Sequence, residues 1–461
     1  MKTASTYSAK IKENAYNSVF RDTVRLYRGA VDFYISVILE QWGSFSLLKR
    51  QTEAVNLAEV LTVKTAKRPD VIYDFQESFY KFPSYMRRAA IAEAYGKVCS
   101  YKSTVANWEA TDPRERKSKP SAPKAGFVYP AMYRDNCFVR TGTYTAELKV
   151  YIRNTWDWIT VSLRKSDADY IEHHCKPFAL QEKDTGALRS RKECVPTLQK
   201  RGKKWFLDFV FEEKVELTEL PVTERTVLAV DLGINSSCVC SAMRSDGTVI
   251  GRAFLKLPKE YDCLKRKTDH IKRAQRHGSH STPRLWAAAK GINNRIAVLT
   301  AQFIVDKAVL YGADVIVLEH LELQGKKSGS KKQKLHHWRA AYVQDMVTHK
   351  AHRLGIRVAH VCAWGTSRLA FDGSGRVMRG AESENTMGNY SLCEFQTGKL
   401  YNCDLNASYN IGARYFVREI LKSLPATAGQ RITAKVPECA KRSTCTLSTL
   451  ISLNAVLYAA A

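Results

Sequence analysis

Three carboxylates occupy sequence positions that suit metal-dependent hydrolysis. Asp231 follows the apolar run Val227–Val230, Glu319 ends the apolar run in ADVIVLE, and Asp404 opens the segment DLNASYNIGARY. An apolar run of this kind predicts a buried strand with the carboxylate at its end. Asp404 instead precedes apolar and aromatic residues at helical spacing, so it is predicted at a helix start, where negative charge is favoured.

Two strands and one helix start can bring these three side chains to one point. Hard cations such as Mg²⁺ bind carboxylate oxygens, and two ions about 4 Å apart can activate water and stabilise the leaving oxygen in phosphodiester hydrolysis. A single aspartate after a strand is more often a cap or turn former. We therefore rest the prediction on the ordered set: Asp231, Glu319 and Asp404 are expected to be catalytic and to bind two Mg²⁺ ions, for which Mn²⁺ can substitute.

The patterns around the carboxylates indicate the elements that must position them. A hairpin from Cys238 to Ala253 follows the first carboxylate, with Asp246-Gly247 as its turn. A helix from about Asn293 to Tyr311 leads into the Glu319 strand, and a further helix and the strand IRVAHVCA continue an α/β pattern.

The preceding half of the chain has a different pattern. Residues 14–101 show helical apolar spacing, and residues 109–125 combine Pro, Ser and Lys in a predicted linker. The short runs CFVRTG, TAELKVYI, WDWITVSL and KWFLDFVFE follow, and alternating strands bounded by turns predict a small β-barrel. Residues 216–224, with Pro221, are the predicted link to the region of the carboxylates.

Composition favours a nucleic-acid partner. The 461 residues carry a formal net charge of +27 with 45% hydrophobic content, which indicates about two to four folded domains and a polyanionic partner. The start MKTASTYSAKIKEN lacks the apolar core of a signal peptide, and twelve cysteines without a C-x-x-C pair suit reduced thiols. We expect a cytoplasmic, nucleoid-associated protein of a prokaryote with no membrane partner.

Two basic groups are candidates for nucleic-acid contact, although a solvated surface explains such residues as well. They are Lys203 and Lys204 before the last barrel strand, and Lys265, Arg266, Lys267, Lys272, Arg273 and Arg276 in a predicted helix. The basic segment GKKSGSKKQK, residues 325–334, is either a lid over the site or simply disordered. His336 and His337 open the next helix and are left out of the site.

The three carboxylate blocks resemble those of the TnpB and type V CRISPR effector superfamily, which are RNA-guided DNA nucleases. The first family motif, D-x-G, matches Asp231-Leu232-Gly233, and the second, a strand ending in Glu, matches Glu319. The third, D-x-N-A-x-x-N-I, matches DLNASYNI from Asp404 to Ile411. The resemblance covers residues 226 to about 421 in detail and the amino-terminal half only in layout.

The resemblance implies a multidomain α+β protein with a split RNase H-like (RuvC) nuclease domain. It implies a first barrel strand in residues 1–13, near Ser8 to Lys12, a helical recognition lobe in 14–108 and a wedge-type β-barrel with linker in 109–225. The nuclease would occupy 226–365 and 401–423, interrupted by a target-binding insert, 366–400, and followed by a tail, 424–461. It implies a guide RNA and target DNA as partners; whether one molecule or two assemble per guide stays open.

One departure from the family concerns zinc. The family places a four-cysteine ribbon after a T-S dipeptide, here Thr366-Ser367, but Ala370 and Gly373 occupy the first ligand positions and Gln396 the last. Structural zinc normally takes four N or S ligands, so we expect no zinc. Cys362, Cys393 and Cys403 could form an alternative set together with His360, but their spacing is not that of a ribbon.

Three other functions remain open at this stage. The missing ribbon cysteines are compatible with a guided DNA-binding protein that no longer cuts, a repressor or targeting subunit, whereas the complete triad favours cleavage. An unguided structure-specific nuclease of the resolvase type would have no use for the large amino-terminal lobes. An accessory transposition factor is the third rival, but we identify no tyrosine or serine recombinase site.

Overall fold

The computed structural model describes residues 1–116, 118–133, 135–174, 191–233, 237–279, 281–321, 339–441 and 443–459. The chain divides into two compact units, Lys2–Lys214 and Val215–Ala461, the second together with Met1. The basic segment 325–334 and the histidine pair 336–337 lie outside the described residues.

The amino-terminal unit has a helical part, as the apolar spacing predicts. Helix α1 buries Phe20, Val24, Tyr27 and Val31 at intervals of three and four, and this helix packs against α5. The helices of this unit are α1 (Asn17–Glu40), α2 (Trp42–Phe45), α3 (Gln51–Thr62), α4 (Phe75–Ser78), α5 (Ser84–Ala110) and α6 (Lys165–His174).

The strands of this unit form two antiparallel sheets. They are β1 (Lys2–Lys10), β2 (Phe138–Arg140), β3 (Thr145–Ile152), β4 (Thr155–Ser162), β5 (Arg191–Glu193), β6 (Thr197–Arg201) and β7 (Lys204–Lys214). One sheet has the order β1-β7-β5 with β6 also on β7, the other β2-β3-β4, and a single bridge joins Ile11 to Leu163. The described strands close no barrel. The amino-terminal strand is present, but it runs over Lys2–Lys10 rather than Ser8 to Lys12.

The second unit is built on a mixed five-stranded sheet. Its strands are β8 (Thr226–Asp231), β9 (Cys238–Arg244), β10 (Val249–Leu255), β11 (Val315–His320) and β12 (Arg357–Cys362), in the order β10-β9-β8-β11-β12. Strands β8, β9 and β10 are antiparallel neighbours, whereas β8, β11 and β12 run parallel. The predicted hairpin is confirmed, and Gly247 takes the positive φ of +92° that its turn requires.

The helices of this unit are α7 (Pro258–Arg276), α8 (Pro283–Leu310), α9 (Ala340–Arg353), α10 (Cys403–Ser423), α11 (Ala426–Lys435) and α12 (Leu447–Tyr458). Helix α8 begins well before the predicted start at Asn293, because Pro283 occupies the first helical position, where proline is favoured. The tail is helical: α12 buries Leu450 and Leu453 completely and packs on α10. None of the described helices has the length and apolar character needed to cross a membrane.

Candidate active site

Asp231 and Glu319 lie side by side at the ends of two parallel strands. The pairing of β8 with β11 sets Val227 opposite Val315 and Ala229 opposite Val317. Asp231 and Glu319 each lie two residues beyond the last of these pairs, so continuation of the same register brings them side by side on strands about 4.8 Å apart. The two carboxylates therefore share one edge of the sheet.

The two carboxylates also share one face of the sheet. Side chains alternate along a strand, so Asp231 projects to the side of Val227 and Ala229, and Glu319 to the side of Val315 and Val317. Those four apolar side chains belong to one core together with residues of α10, whereas the intervening strand residues belong to a core on the opposite face. The sheet thus presents both carboxylates to the side on which α10 packs.

Asp404 lies in the first turn of α10, where the helix dipole favours a negative charge. Asn402 caps the helix by accepting a hydrogen bond from the Leu405 N–H at 2.9 Å. The helix packs closely on β8 because Gly412 has no side chain: a Cβ there would lie 3.3 Å from Cβ of Ala229 and 3.1 Å from Sδ of Met243. Two strands and one helix start carry the set, as predicted.

Electrostatics link the three carboxylates. Burial raises the pKa of Asp231 well above its ordinary value, and the charges of Glu319 and Asp404 raise it further, whereas Arg379 acts in the opposite direction. Glu319 is 8% exposed. Burial also raises the pKa of the Glu319 carboxyl, opposed by a hydrogen bond from Thr366 and by the charge of Arg414. Such mutual repulsion is what a bound cation relieves.

The donor set suits a hard cation, but it is not a closed cage. Among the residues that the structure describes, no three His, Cys, Asp or Glu side chains are grouped closely enough to hold a metal ion. The three carboxylates offer only oxygen donors, which is the chemistry of Mg²⁺ rather than of zinc. Their chemistry and shared face fit Mg²⁺, while the closure of the set around an ion stays a prediction.

Thr366 is a site residue whose role the sequence did not reveal. Its hydroxyl donates to Oε1 of Glu319 at 2.5 Å, and its oxygen lies 3.1 Å from the carbonyl of Ala363. From the sequence, Thr366 indicated only where the expected zinc ribbon would begin. The two residues are separated by 47 positions, so no local pattern could have predicted the contact.

The asparagines of the third motif bind the loop that carries Thr366. The side-chain amide of Asn406 donates to the carbonyl of Leu369 at 2.9 Å and accepts from the N–H of Phe371 at 2.8 Å. Asn410, one turn later, donates to the carbonyls of Thr366 at 2.9 Å and Leu369 at 2.8 Å. Their spacing of four residues places both amides on the same helix face, which gives this part of the motif a structural purpose.

Comparisons with known proteins identify the family of the amino-terminal unit. The model of the Aq_aa04 family matches residues 5–152. The uncharacterized protein aq_aa04 of Aquifex aeolicus (strain VF5) is 31% identical over 121 residues, which cover 24% of this chain and 68% of that protein. The chain belongs to the Aq_aa04 family. The family match ends before β8 and includes none of the three carboxylates.

Three solved structures match this chain at low sequence identity and low TM-score. A Cas12f1-sgRNA-target DNA complex is 13% identical, with 88% of this chain and 98% of that chain covered at a TM-score of 0.33. The mini-RNA-guided endonuclease CRISPR-Cas_phi3 is 10% identical, with 89% and 92% covered at 0.46. A Cas12i-crRNA-dsDNA complex is 12% identical, with 96% and 68% covered at 0.40. All three TM-scores are below one half.

The insert keeps a small core where the ribbon ligands would be. It contains β13 (Met378–Arg379), β14 (Leu392–Glu394) and β15 (Leu400–Asn402) in one antiparallel sheet. Buried Ala370, Cys393 and Cys403 share a cluster with Phe395, and the ring of Phe371 packs 5.4 Å from that of Phe395. At the first pair of ligand positions the chain forms a turn, in which the N–H of Gly373 donates to the carbonyl of Ala370 at 3.1 Å.

The three-cysteine alternative does not gather in the described part of the chain. Cys393 and Cys403 share a hydrogen bond that raises the pKa of the Cys393 thiol and lowers that of Cys403. Cys362 is exposed on β12, and no metal-binding group of three such side chains is found among the described residues. That the protein needs no zinc stays a prediction.

The predicted basic residues lie on exposed surfaces. Lys203 and Lys204 are exposed at the turn into β7. On α7 the buried side is Leu264, Thr268 and Ile271, which leaves the six basic candidates exposed: Lys265, Arg266, Lys267, Lys272, Arg273 and Arg276. Lys272 forms an ion pair of 3.6 Å with Asp269, so this surface is not purely basic.

Proposed function

We propose that the chain is an RNA-guided DNA endonuclease whose active site contains Asp231, Glu319 and Asp404. The observation that carries the proposal is the parallel register of β8 and β11, which sets two acidic side chains together on the face covered by α10. The sheet order, with an antiparallel hairpin beside parallel strands, supports an RNase H-like domain. Carboxyl groups whose pKa is raised, as at Asp231 and Glu319, are typical of catalytic sites.

The roles of the three carboxylates follow from their positions. The charges of Glu319 and Asp404 both act on Asp231, so Asp231 would hold the metal ions together with those two residues. Glu319 would complete the ligand sets from the strand and Asp404 from the helix. The bound Mg²⁺ ions would supply an activated water and stabilise the leaving oxygen of the cleaved phosphodiester.

Guidance by RNA is supported by charge and by the motif blocks. A net charge of +27 calls for a polyanionic partner, and the exposed basic side of α7 belongs to the same unit as the carboxylates. Guide pairing would supply sequence specificity, while basic surfaces hold the duplex through its backbone. The target strand would then be cut at the carboxylates.

The deciding experiment is to sequence the RNA that copurifies with the full chain expressed with its native flanking DNA. One abundant RNA with a constant structured part and a variable end is the expected result, and that RNA is the reagent for cleavage assays. Asp231→Ala should abolish Mg²⁺-dependent cleavage of matched DNA, by at least about 10²-fold. Asp345→Ala, at an exposed position of α9, is the matched control and should cut normally.

Other outcomes identify the rival functions. Cleavage by the wild-type chain without RNA would show an unguided nuclease. RNA-dependent DNA binding with no cleavage by the wild-type chain would show a guided binder. Heterogeneous RNA, or none, would count against guidance.

A further inference from the structure

The contact between Thr366 and Glu319 is unusual because both partners are almost completely buried. Thr366 is 3% and Glu319 8% exposed, and their oxygens are 2.5 Å apart. A hydroxyl has a single proton to donate, and a hydrogen bond to an ionised carboxylate is short and about twice as strong as one to a neutral acceptor. The Thr366 hydroxyl therefore donates its hydrogen bond to the carboxylate of Glu319 rather than to the carbonyl of Ala363.

This hydrogen bond restricts how Glu319 can present its carboxylate. A glutamate side chain has three rotatable torsions, and burial alone does not choose among their rotamers. With Oε1 engaged by Thr366, Oε2 is the oxygen left to turn toward Asp231. Groups that hold a metal ligand in one orientation in this way affect metal affinity.

The loop that carries Thr366 is itself held by α10. Asn410 donates to the carbonyl of Thr366, and Arg414, one turn later, donates to the carbonyls of Cys362 at 2.7 Å and Trp364 at 2.8 Å. The three carbonyls are those of Cys362, Trp364 and Thr366, so α10 holds both Thr366 and the residues that lead into it. Asp404 starts the same helix, so one rigid element fixes both Asp404 and the support of Glu319.

The carboxy-terminal segment is joined to the same two side chains. Arg414 also donates to the carbonyls of Ser443 at 2.6 Å and Cys445 at 3.1 Å. Asn410 accepts from the N–H of Leu447 at 3.3 Å. Arg414 thus links the Thr366 loop to the segment before α12, a part of the chain for which the sequence indicated no purpose.

We propose that Thr366 is a positioning residue for Glu319, and that Asn410, Arg414 and the segment 443–447 hold Thr366 in place. The inference rests on the proposed function, because the orientation of Glu319 is important only if its carboxylate binds a catalytic metal ion. It extends the site from three carboxylates to a hydrogen-bonded support that includes the tail.

The test compares three variants of the full chain. Thr366→Val keeps the shape and removes the hydroxyl, Thr366→Ser keeps the hydroxyl, and Thr300→Val is the matched control. Thr300 is 2% exposed and its hydroxyl donates to a carbonyl of its own helix, that of Ile296, at 2.8 Å. Mn²⁺ binding by calorimetry and DNA cleavage with the copurified RNA are measured for each.

Thr366→Val should weaken Mn²⁺ binding about 10-fold or more and lower kcat by a similar factor, with KM for DNA unchanged. Thr366→Ser should restore both quantities to near the wild-type values, and Thr300→Val should alter neither. If Thr366→Val binds Mn²⁺ and cuts like the wild type, the positioning role is wrong. If Thr366→Ser fails as badly as Thr366→Val, the hydroxyl is not responsible and the proposal is also wrong.

A thermal double-mutant cycle separates this proposal from the proposed function. Thr366→Val should lower the melting temperature more in the wild-type background than in Glu319→Ala, because only the former has the carboxylate acceptor. Additive changes would overturn the hydrogen bond and the proposal with it. If the variants show this coupling but the wild-type chain neither binds Mn²⁺ nor cuts DNA, the proposed function is wrong. The positioning role is then wrong as well, because it depends on that function.

Discussion

At the scale of single residues, the site combines charges that repel one another. Burial and the neighbouring carboxylates both raise the pKa of Asp231, so the folded chain holds these groups together at a cost in stability. Thr366 and Arg414 reduce that cost at Glu319. Arrangements that reduce stability in this way are commonly retained because the function needs them.

Asp231→Asn should change how stability depends on pH. The raised pKa of Asp231 means that the folded state binds this proton more tightly than the unfolded state, whose value is about 3.9. The stabilisation from that proton is fully present at pH values below the pKa of the unfolded state, and it is lost as the pH rises through the raised pKa of the folded state. In EDTA, Asp231→Asn should therefore have a higher melting temperature than the wild type near about pH 8. The difference between the two melting temperatures should become smaller as the pH falls toward about 4.

Two comparisons control this prediction. Asp345→Asn, on the exposed side of α9, should leave the pH profile unchanged. Excess Mg²⁺ should stabilise the wild type more than Asp231→Asn, because a bound cation favours the ionised carboxylates. Parallel pH profiles for the wild type and Asp231→Asn would show that the carboxylates do not interact as described.

Arg414 is predicted to be important for stability as well as for the site. It is 4% exposed and donates to four carbonyls, so Arg414→Met should leave several buried acceptors unpaired. We expect a decrease of about 3 kcal/mol in the free energy of unfolding, measured by urea titration. Arg431→Met, at an exposed position of α11, should change it by less than about 0.5 kcal/mol; equal effects would contradict the role of these hydrogen bonds.

At the scale of elements, the position of α10 against β8 decides whether Asp404 reaches the other carboxylates. The helix start is set by the Asn402 cap, and the depth of packing by the absence of a side chain at Gly412. A helix interior normally disfavours glycine by about 1 kcal/mol relative to alanine. Glycine at position 412 indicates that the close packing of α10 on β8 stabilises the fold by more than the loss of helix propensity destabilises it.

Gly412→Ala is expected to impair the site despite the gain in helix propensity. The new Cβ would lie 3.3 Å from Cβ of Ala229, on a buried strand that cannot move easily, and 3.1 Å from Sδ of Met243. Overpacking of about 1–3 kcal/mol should match or exceed the propensity gain, and cleavage should fall because α10 carries Asp404. The free energy of unfolding and kcat are the measurements.

Gly291→Ala provides the matched control on α8. A Cβ at Gly291 has no neighbour within 4 Å, so this substitution should stabilise the chain by about 0.5–1 kcal/mol and leave kcat unchanged. If Gly412→Ala stabilises the chain equally and cuts normally, the close approach of α10 to β8 is not needed for the site.

Sequence patterns predicted those parts of the site that local rules determine. The apolar runs predicted β8 and β11, the turn at Gly247 predicted the hairpin, and the spacing after Asp404 predicted α10. The contact between Thr366 and Glu319 and the links from Arg414 to the tail join residues far apart in the chain, which periodicity does not report. The small β-barrel was predicted from strand alternation, which does not determine whether the strands close into a barrel.

At the scale of the whole molecule, charge is the property that any function must explain. The chain carries 72 Lys and Arg against 45 Asp and Glu, and a protein of this kind repels itself unless a polyanion is bound. Binding through cations that neutralise phosphates releases counterions, so its affinity falls steeply with salt. Within the unit of the carboxylates, the exposed side of α7 carries the six basic candidates.

Neutralising the basic side of α7 should weaken RNA and DNA binding and flatten its salt dependence. Four of its exposed cations would be changed to Gln together: Lys265, Lys267, Lys272 and Arg276. The slope of log K against log salt should fall by about 0.7–0.9 for each phosphate that the variant no longer neutralises. Filter binding of the copurified RNA and of matched duplex DNA at several salt concentrations would measure it.

A second variant with the same charge change decides whether the position of the cations is important or only their number. Its four substitutions to Gln lie at exposed positions of the tail and of the end of α10: Lys422, Arg431, Lys435 and Lys441. Because long-range attraction depends on total charge whereas counterion release depends on direct binding to phosphates, the tail variant should slow association slightly and keep the wild-type slope. Equal slopes for the two variants would mean that α7 binds no phosphates, and the nucleic acid would then have to be held by other basic surfaces.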